Sequence, residues 1–549
     1  MKQFPTIMNN RIDYIEDRIW IQKKIQLQEY FNKLEPKHSI VSSLGIPLKY
    51  SGYFALIPSN LDLEAHLAQY PITDYMFVQD NRGIIRSVSK YGGIGSSLKF
   101  DPVRFIYILG LISSIPARNK DSITETGYVS INSKLIRNFF KDYLSYLDYL
   151  ILTGVLETKG QYIQGKQSKG YRFTERYANA PLVRYDYPAF IQNTDNVASI
   201  QEEIYNKKTG NFVHNPILDF PYLSYWYSTK GLQIDEEAAL TCAYQMMQDK
   251  ISKGIQSWDI NRDKSRNNLI KRKNPLTQYH AALYNINSIA IGDYKVSIDS
   301  NVHRLHSVIT NLQKDYRRFL SYNGQKLVNV DICNSQPYLL CLLLNPSFWD
   351  KTSDIPLNIG MLSHNIQGMV QEEHLSEIYK YVLSLSACHD TALENYIKTA
   401  SQGKVYEYMQ EVINKRENVN LKRDDIKTMI LTTLFSKNRF MPTYKKYFKQ
   451  NFPQIYELIR LVKKENHETL ACILQNIESE IILHRCCCQI WNISNHQVPV
   501  FTIHDSICTT IGNEVFVKEI MIQELTKAVG EIPFIKIERW GEYTNEQDN

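Results

Sequence analysis

The spacing of apolar residues separates this chain into helical and extended stretches. Val103 to Ile115 is an almost unbroken apolar run of helical length. Ile131–Phe140 and Tyr143–Leu152 read as two further helices, the second amphipathic. Val155-Leu-Glu then reads as a short strand, Lys159-Gly as a turn and Tyr171-Arg-Phe-Thr as a second strand. Helices followed by a β-hairpin predict a winged-helix-like module over residues 101–180. Its hairpin carries Lys159, Lys166, Lys169, Arg172 and Arg176, interleaved with Tyr162, Tyr171 and Phe173. Such a wing suits contact with phosphates and stacking on bases; a solvated hairpin packed on its own helices is the plainer reading.

Residues 181–230 are rich in Pro, Tyr and Asn and are expected to form a connector. Helical patterning resumes over Ile234–Ile255, within a helical region expected to span 231–300. Leu327-Val-Asn-Val is a strand pattern that ends on Asp331, followed by a turn and the apolar run Tyr338–Leu344. Arg423, Lys427, Leu431 and Phe435 recur every four residues and form one slowly drifting helical stripe. Val498–Ile503 and Ile507–Ile511 read as two strands joined by a tight turn at His504-Asp505-Ser506. Residues 1–100 say little. Asp62 and Glu64 form a D-x-E pair there, but no buried strand is expected before it, and no exonuclease is inferred.

Helices and strands are mixed along 549 residues, which gives an α+β class. The composition is that of a soluble globular protein. A net charge of +6 permits a polyanionic partner without requiring one, so local clusters matter more. One cluster is Lys264, Arg266, Lys271, Arg272 and Lys273, with no acid between them. No apolar run is long enough to span a membrane, and Met1–Lys24 lacks the apolar core of a secretory signal. Nine cysteines, with Cys486, Cys487 and Cys488 adjacent, fit no disulfide framework or zinc spacing. Reduced thiols in a cytoplasmic setting are expected.

Three segments carry candidate chemistry. A carboxylate at a strand end, such as Asp331, is held rigidly while the following turn admits a substrate. Asp505 at a hairpin tip is a second rigid carboxylate. Two such groups from different strands can hold two Mg²⁺ ions for an in-line phosphoryl displacement. The plain alternatives are a helix cap at Asp331 and a type I′ turn in which Asp505 takes the positive φ. On the stripe between them, two cations precede two apolar groups, which suits triphosphate oxygens followed by a base.

These segments together resemble the family A polymerases, the DNA polymerase I-like enzymes and their phage-type single-subunit RNA polymerase relatives. Asp331 stands as motif A, Arg423 to Ser436 as motif B (R-x3-K-x3-[F/M/Y]-x3-Y-G), and His504-Asp505-Ser506 as motif C. Arg304-Leu-His-Ser-x3-Asn311-Leu-Gln is similar to the segment before motif A, and Leu474-Gln475-x2-Glu478-Ser479 to the helix before motif C. The resemblance covers residues 301–511, with five segments in order. It implies a right-hand core: antiparallel palm sheet, helical fingers and thumb. The implied division is palm at 301–345 and 466–549, fingers with an insertion at 346–465, and a thumb-like region at 231–300.

The resemblance also implies roles. Asp331 and Asp505 would bind two Mg²⁺ ions, Mn²⁺ being the alternative, with the carbonyl of Ile332 as a further ligand. Arg423 and Lys427 would grip the triphosphate, and Lys427 would protonate the pyrophosphate. Leu431 and Phe435 would pack beside the nascent base pair, and Gln336 would face the sugar. Arg304, Asn311, Gln475 and His504 would contact the primer–template. The expected activity is template-directed addition of dNTPs to a primer 3′ end, in phage or mobile-element replication, with RNA or protein replication partners and no membrane. Phe435-Ser436 replaces Tyr-Gly, Gln336 replaces the usual Glu, and motif C reads HDS. These departures keep two alternatives open: an RNA polymerase, primase-like or untemplated nucleotidyltransferase, and a non-catalytic DNA-binding scaffold.

Overall fold

The computed structural model describes residues 53–541, apart from 72–76, 80–84, 88–101, 120–121, 125, 138–142, 160–167, 188–202, 207–210, 254–258, 264–267, 273–274 and 387–389. The chain divides into two units, one built mainly from residues 1–198 and 236–291, the other mainly from 214–235 and 292–549. Within the described residues no helix is long and apolar enough to cross a membrane.

In the first unit the apolar run expected to be a helix is one, Pro102–Arg118. It packs on the strand Tyr53–Pro58, which pairs antiparallel with Leu182–Tyr187. The approach is close: a Cβ on Gly110 would stand 2.8 Å from the Cβ of Ala55. The strand is a buried run, Phe54 to Ile57, just ahead of Asp62. The expectation that no buried strand precedes the D-x-E pair is therefore corrected. Too few β-branched residues marked it. Asp62 itself caps the helix Leu63–Gln69 by accepting from the Ala65 N–H at 3.0 Å.

The next elements follow the order helix, strand, helix, helix, strand, strand. After Pro102–Arg118 come Val129–Ser130, Ser133–Arg137, Tyr143–Leu152, Leu156–Lys159 and Gly170–Phe173. The three strands form one antiparallel sheet with Gly170–Phe173 in the centre. Tyr171 and Phe173 lie two apart and both turn into the core, so neither is offered to a base as expected. Arg172 points the other way, lies 4.4 Å over the Tyr128 ring and bonds Glu157 at 2.7 Å. Lys159 and Lys169 remain exposed. Lys166, Tyr162 and much of the Lys264–Lys273 run lie outside the described residues. The helices Glu236–Ser252 and Pro275–Ala290 pair with each other within this unit.

The second unit is organised on a six-stranded antiparallel sheet. Its strands are β1 (Leu232–Ile234), β2 (Leu320–Tyr322), β3 (Gln325–Ile332), β4 (Phe501–Ile503), β5 (Ser506–Thr510) and β6 (Ile535–Arg539). The order is β1-β2-β3-β5-β4, and β6 also pairs with β3. β3 therefore has partners on both edges. Directly opposite residues share a face, and faces alternate along each strand. One face carries Val328, Val330, Ile332, Ile507 and Ile535, all buried; the helix Glu514–Val529 packs on the sheet. The other carries Asn329, Asp331, Cys508, Lys536 and Glu538.

Part of the segment expected as a connector folds into this unit. Pro221–Ser228 is a helix that buries Leu223, Trp226 and Tyr227. Its aromatic residues mark core there, not linker. The adjacent Cys486 and Cys487 are fully buried in a continuous run of helix from Thr469 to Ile493, and the described cysteines are all free thiols.

Candidate functional site

Asp331 leaves the sheet at the end of β3, opposite Ser506 on β5 and Lys536 on β6. The register sets Asp505, one residue before Ser506, beside it. Both belong to the polar face or its rim. β4 and β5 are joined by a two-residue turn, with Ile503 paired to Ser506. The residue with positive φ in that turn is His504, at 56°, and not Asp505. The type I′ expectation for Asp505 is corrected accordingly: His504 absorbs the left-handed backbone, and the carboxylate is free for other work. Ser506 Oγ donates to the Ile503 carbonyl at 3.0 Å and ties the hairpin.

Burial is the largest influence on Asp331, and the Asp505 charge adds to it. Together they push its carboxyl up to about 6, against Lys536, whose Nζ stands 3.4 Å from Oδ2. A buried carboxylate raised by a neighbouring carboxylate, beside one flexible ammonium, marks a site of latent negative charge.

The turn after Asp331 is held from several sides. Asn334 adopts a left-handed φ of 55°, which Asn tolerates, and starts α1 (Ser335–Leu339). Cys333 N–H donates to the Phe534 carbonyl, and Phe534 N–H to Ser401. Tyr396 Oη donates to the Pro337 carbonyl at 3.0 Å. Gly403, at φ 71°, lies where an added Cβ would meet the Cys333 Cβ at 2.7 Å. Ile332 ends β3 with its side chain buried.

The stripe of four lies on α3 (Arg423–Phe435), next to α2 (Val405–Glu417). Ile426, Ile430, Thr433 and Leu434 form the buried face. Arg423 and Lys427 are exposed, and Leu431 and Phe435 are half-buried. Asp424 and Asp425 suit the positive end of the helix. At the other end, Lys463 Nζ donates to the carbonyls of Thr433 and Ser436 at 2.9 Å, and Lys445 Nζ to Lys437 at 3.0 Å.

Arg423 pairs with Glu407 and lies 5.2 Å over the Tyr406 ring. Burial pushes the Tyr406 phenol up; Arg423 lowers it and Asp505 raises it. Burial likewise raises the Cys333 thiol, with Lys536 and Arg423 opposing and Asp331 and Glu407 adding. The stripe's cation and both carboxylates thus share one electrostatic neighbourhood.

A third carboxylate completes it. Glu478, on α4 (Thr469–Ser479), is buried to 2 % exposure. Its Oε1 accepts from Arg304 Nη2 at 2.5 Å, and its Oε2 from Gln336 Nε2 at 2.6 Å. Burial raises its carboxyl to about 7; Arg304 opposes this and Asp505 adds to it. Of the other expected contacts, His504 is exposed at the hairpin and Gln475 is half-buried on α4. Asn311 donates to the Ser307 carbonyl within its own turn at 3.1 Å. Reading the sequence missed the roles of Glu478, Lys536 and Glu407. The alternation Ile535-Lys-Ile-Glu-Arg was a usable signal for Lys536; Glu478 stood in the segment that resembles the helix before motif C, but nothing there gave it a role.

Among the described residues, no group of three or more His, Cys, Asp or Glu side chains gathers as a metal site. No protein-family profile matches the sequence, and no curated protein matches it. Among solved structures, the chain is similar to the POL domain of Pol1 from M. smegmatis in complex with DNA primer-template and dNTP. The identity is 10%, the TM-score 0.29, and the alignment covers 58% of this chain and 69% of that one. A likeness that slight carries no argument about fold or activity.

Proposed function

We propose that the chain is a template-directed nucleotidyltransferase that extends a primer with dNTPs, organised as a family A-like right-hand polymerase. The observation that carries this reading is Asp331 on β3 beside Asp505 in the turn that opens the adjoining β5, in one electrostatic neighbourhood with Arg423. The sheet serves as palm and the helices that include α2 and α3 as fingers. The ordered helices and three-stranded sheet of the first unit serve as a winged-helix-like DNA-binding module, with Lys159 and Lys169 available to phosphates. Replication of a phage or mobile element is the setting we favour.

The donor set fits divalent magnesium. Asp331 and Asp505 are hard oxygen ligands, and Mg²⁺ is commonly held by one or two carboxylates, with water and substrate phosphates completing its shell. The raised carboxyl of Asp331 is the mark of a site that gains from a cation. When bound, Mg²⁺ supplies charge neutralisation at the reacting phosphate and lowers the pKa of a bound hydroxyl.

The chain's own residues do the rest. Arg423 exchanges Glu407 for a phosphate, and exposed Lys427, one turn on, meets the same anion and holds a proton for the departing pyrophosphate. Leu431 and Phe435 continue the stripe as an apolar wall for the base. Gln336, held by Glu478, faces the sugar. Arg304 and His504 meet the primer end.

The second output, ribonucleotide polymerisation, is favoured by two features. Ser506 ties the hairpin and adds no third carboxylate, and Phe435 brings no hydroxyl. One experiment separates the readings: extension of a labelled primer–template with Mg²⁺, wild type beside Asp505→Ala, with dNTPs and rNTPs in separate reactions and with primer or template omitted. Template-dependent dNTP extension that the variant lacks supports the proposal. Incorporation of rNTPs alone, or without template, moves the chain to the second output. No incorporation leaves a DNA-binding scaffold.

A further inference from the structure

The chain carries Gln at 336, and the structure supplies a reason. The Gln336 amide nitrogen donates to Glu478 Oε2 at 2.6 Å, and the other Glu478 oxygen is taken by Arg304. Both Glu478 oxygens accept here, one of them from the Arg304 guanidinium, so the acid selects the N–H end of the amide. A Glu at 336 would set two carboxylates against each other inside the unit; a Gln makes one shared bond. The far end of the same amide, Gln336 Oε1, is buried and has no hydrogen-bond partner among the described residues. Such an acceptor is costly to leave unmade, so the hold on the amide rests on its bond to Glu478.

We infer that Glu478 is the positioning residue of the sugar-facing side of the site: it clamps Gln336 from behind, so that the side chain is a fixed wall beside the nucleotide sugar. The inference rests on the polymerase reading and deepens it. Glu478 touches no substrate and acts only through Gln336. Without it, the Gln336 side chain regains its rotamers and no longer holds its place beside C2′ of the sugar. The gate is then a pair, with its acid on α4 and its amide on α1.

The test compares kcat/KM for a dNTP with that for the matching rNTP on one primer–template. This ratio does not depend on how much of a preparation is folded. The variants are Glu478→Ala, Glu478→Gln, Gln336→Ala, Gln336→Ala/Glu478→Ala, Gln336→Glu, and the exchange Gln336→Glu/Glu478→Gln. Glu478→Ala and Gln336→Ala are each expected to reduce discrimination about tenfold, and the double alanine variant no further. The isosteric Glu478→Gln, which keeps a neutral partner for the amide, should fall between wild type and Glu478→Ala. Gln336→Glu alone should impair incorporation of both sugars. The exchange should recover it, because a single carboxylate is again shared.

Three results would overturn the inference: a ratio unchanged in Glu478→Ala, effects that add in the double variant, or an exchange no better than Gln336→Glu alone. Absence of any incorporation by the wild type would remove the polymerase reading and this inference with it. Incorporation with an unaltered ratio would remove the inference alone.

Discussion

Replacing Lys463 by Met should remove the larger part of an alkaline gain in stability expected of the wild type. Lys463 is 3 % exposed and caps the end of α3 through two carbonyls at 2.9 Å. Burial, with Lys445 adding to it, lowers its ammonium from 10.5 to about 7. Between those values the unfolded chain holds the proton and the folded chain has released it. The unfolded state therefore binds more protons, and stability rises with pH. Integrated from pH 7 to pH 9, one such group contributes roughly 2 kcal/mol. Lys445, lowered by burial to about 8, adds roughly 1 kcal/mol over the same window. The measurement is urea unfolding of both proteins at several pH values between these limits, followed by tryptophan fluorescence. Trp226, Trp349, Trp491 and Trp540 all report on the second unit. Lys463→Met should be less stable throughout, because the Thr433 and Ser436 carbonyls lose a donor, and its pH slope should be shallower by the Lys463 share. Parallel pH curves would refute the reasoning. They would mean that Lys463 stays protonated when folded and acts as a cationic cap on the negative end of α3.

Asp331→Ala or Asp505→Ala should lower primer extension about a thousandfold or more, while DNA affinity measured by fluorescence anisotropy changes little; an unchanged rate in either would sink the two-carboxylate assignment. Glu407→Gln frees Arg423 from a half-exposed pair worth up to about 1 kcal/mol, so KM for the nucleotide should fall up to about fivefold with kcat unaltered. Steady-state kinetics checks it, and a rise in KM would show that Glu407 positions Arg423 for the phosphate. Gly403→Ala meets both a positive φ and the Cys333 Cβ, so it should cost about 2–3 kcal/mol in urea unfolding of the second unit; a neutral effect would show that the turn after Asp331 yields.

What could be read ahead of the structure divides along a physical line. Tyr143–Leu152 forms with the bounds its periodicity set, and the strand ending on Asp331 forms within two residues of the pattern, because both are decided by local burial: of one helix face in the first, of consecutive residues in the second. Tyr171 and Phe173 were misread for the same reason that makes strands legible: alternation tells which residues share a face, but not which face meets the core. His504 rather than Asp505 carries the positive φ, since the two-residue turn was legible and its internal division was not. The pairings that bring the carboxylates together are long-range. Asp331 opposite Ser506 and Lys536, and Glu478 between Arg304 and Gln336, join segments more than a hundred residues apart. No local period encodes them. Glu478 was visible only as a position in the segment that resembles the helix before motif C, because one acid in an apolar helix does not show its two partners. The departure at Gln336, which looked like an isolated change in a motif, is then half of a two-residue arrangement: carboxylate and amide are matched across α1 and α4, and a change at either position is felt at both.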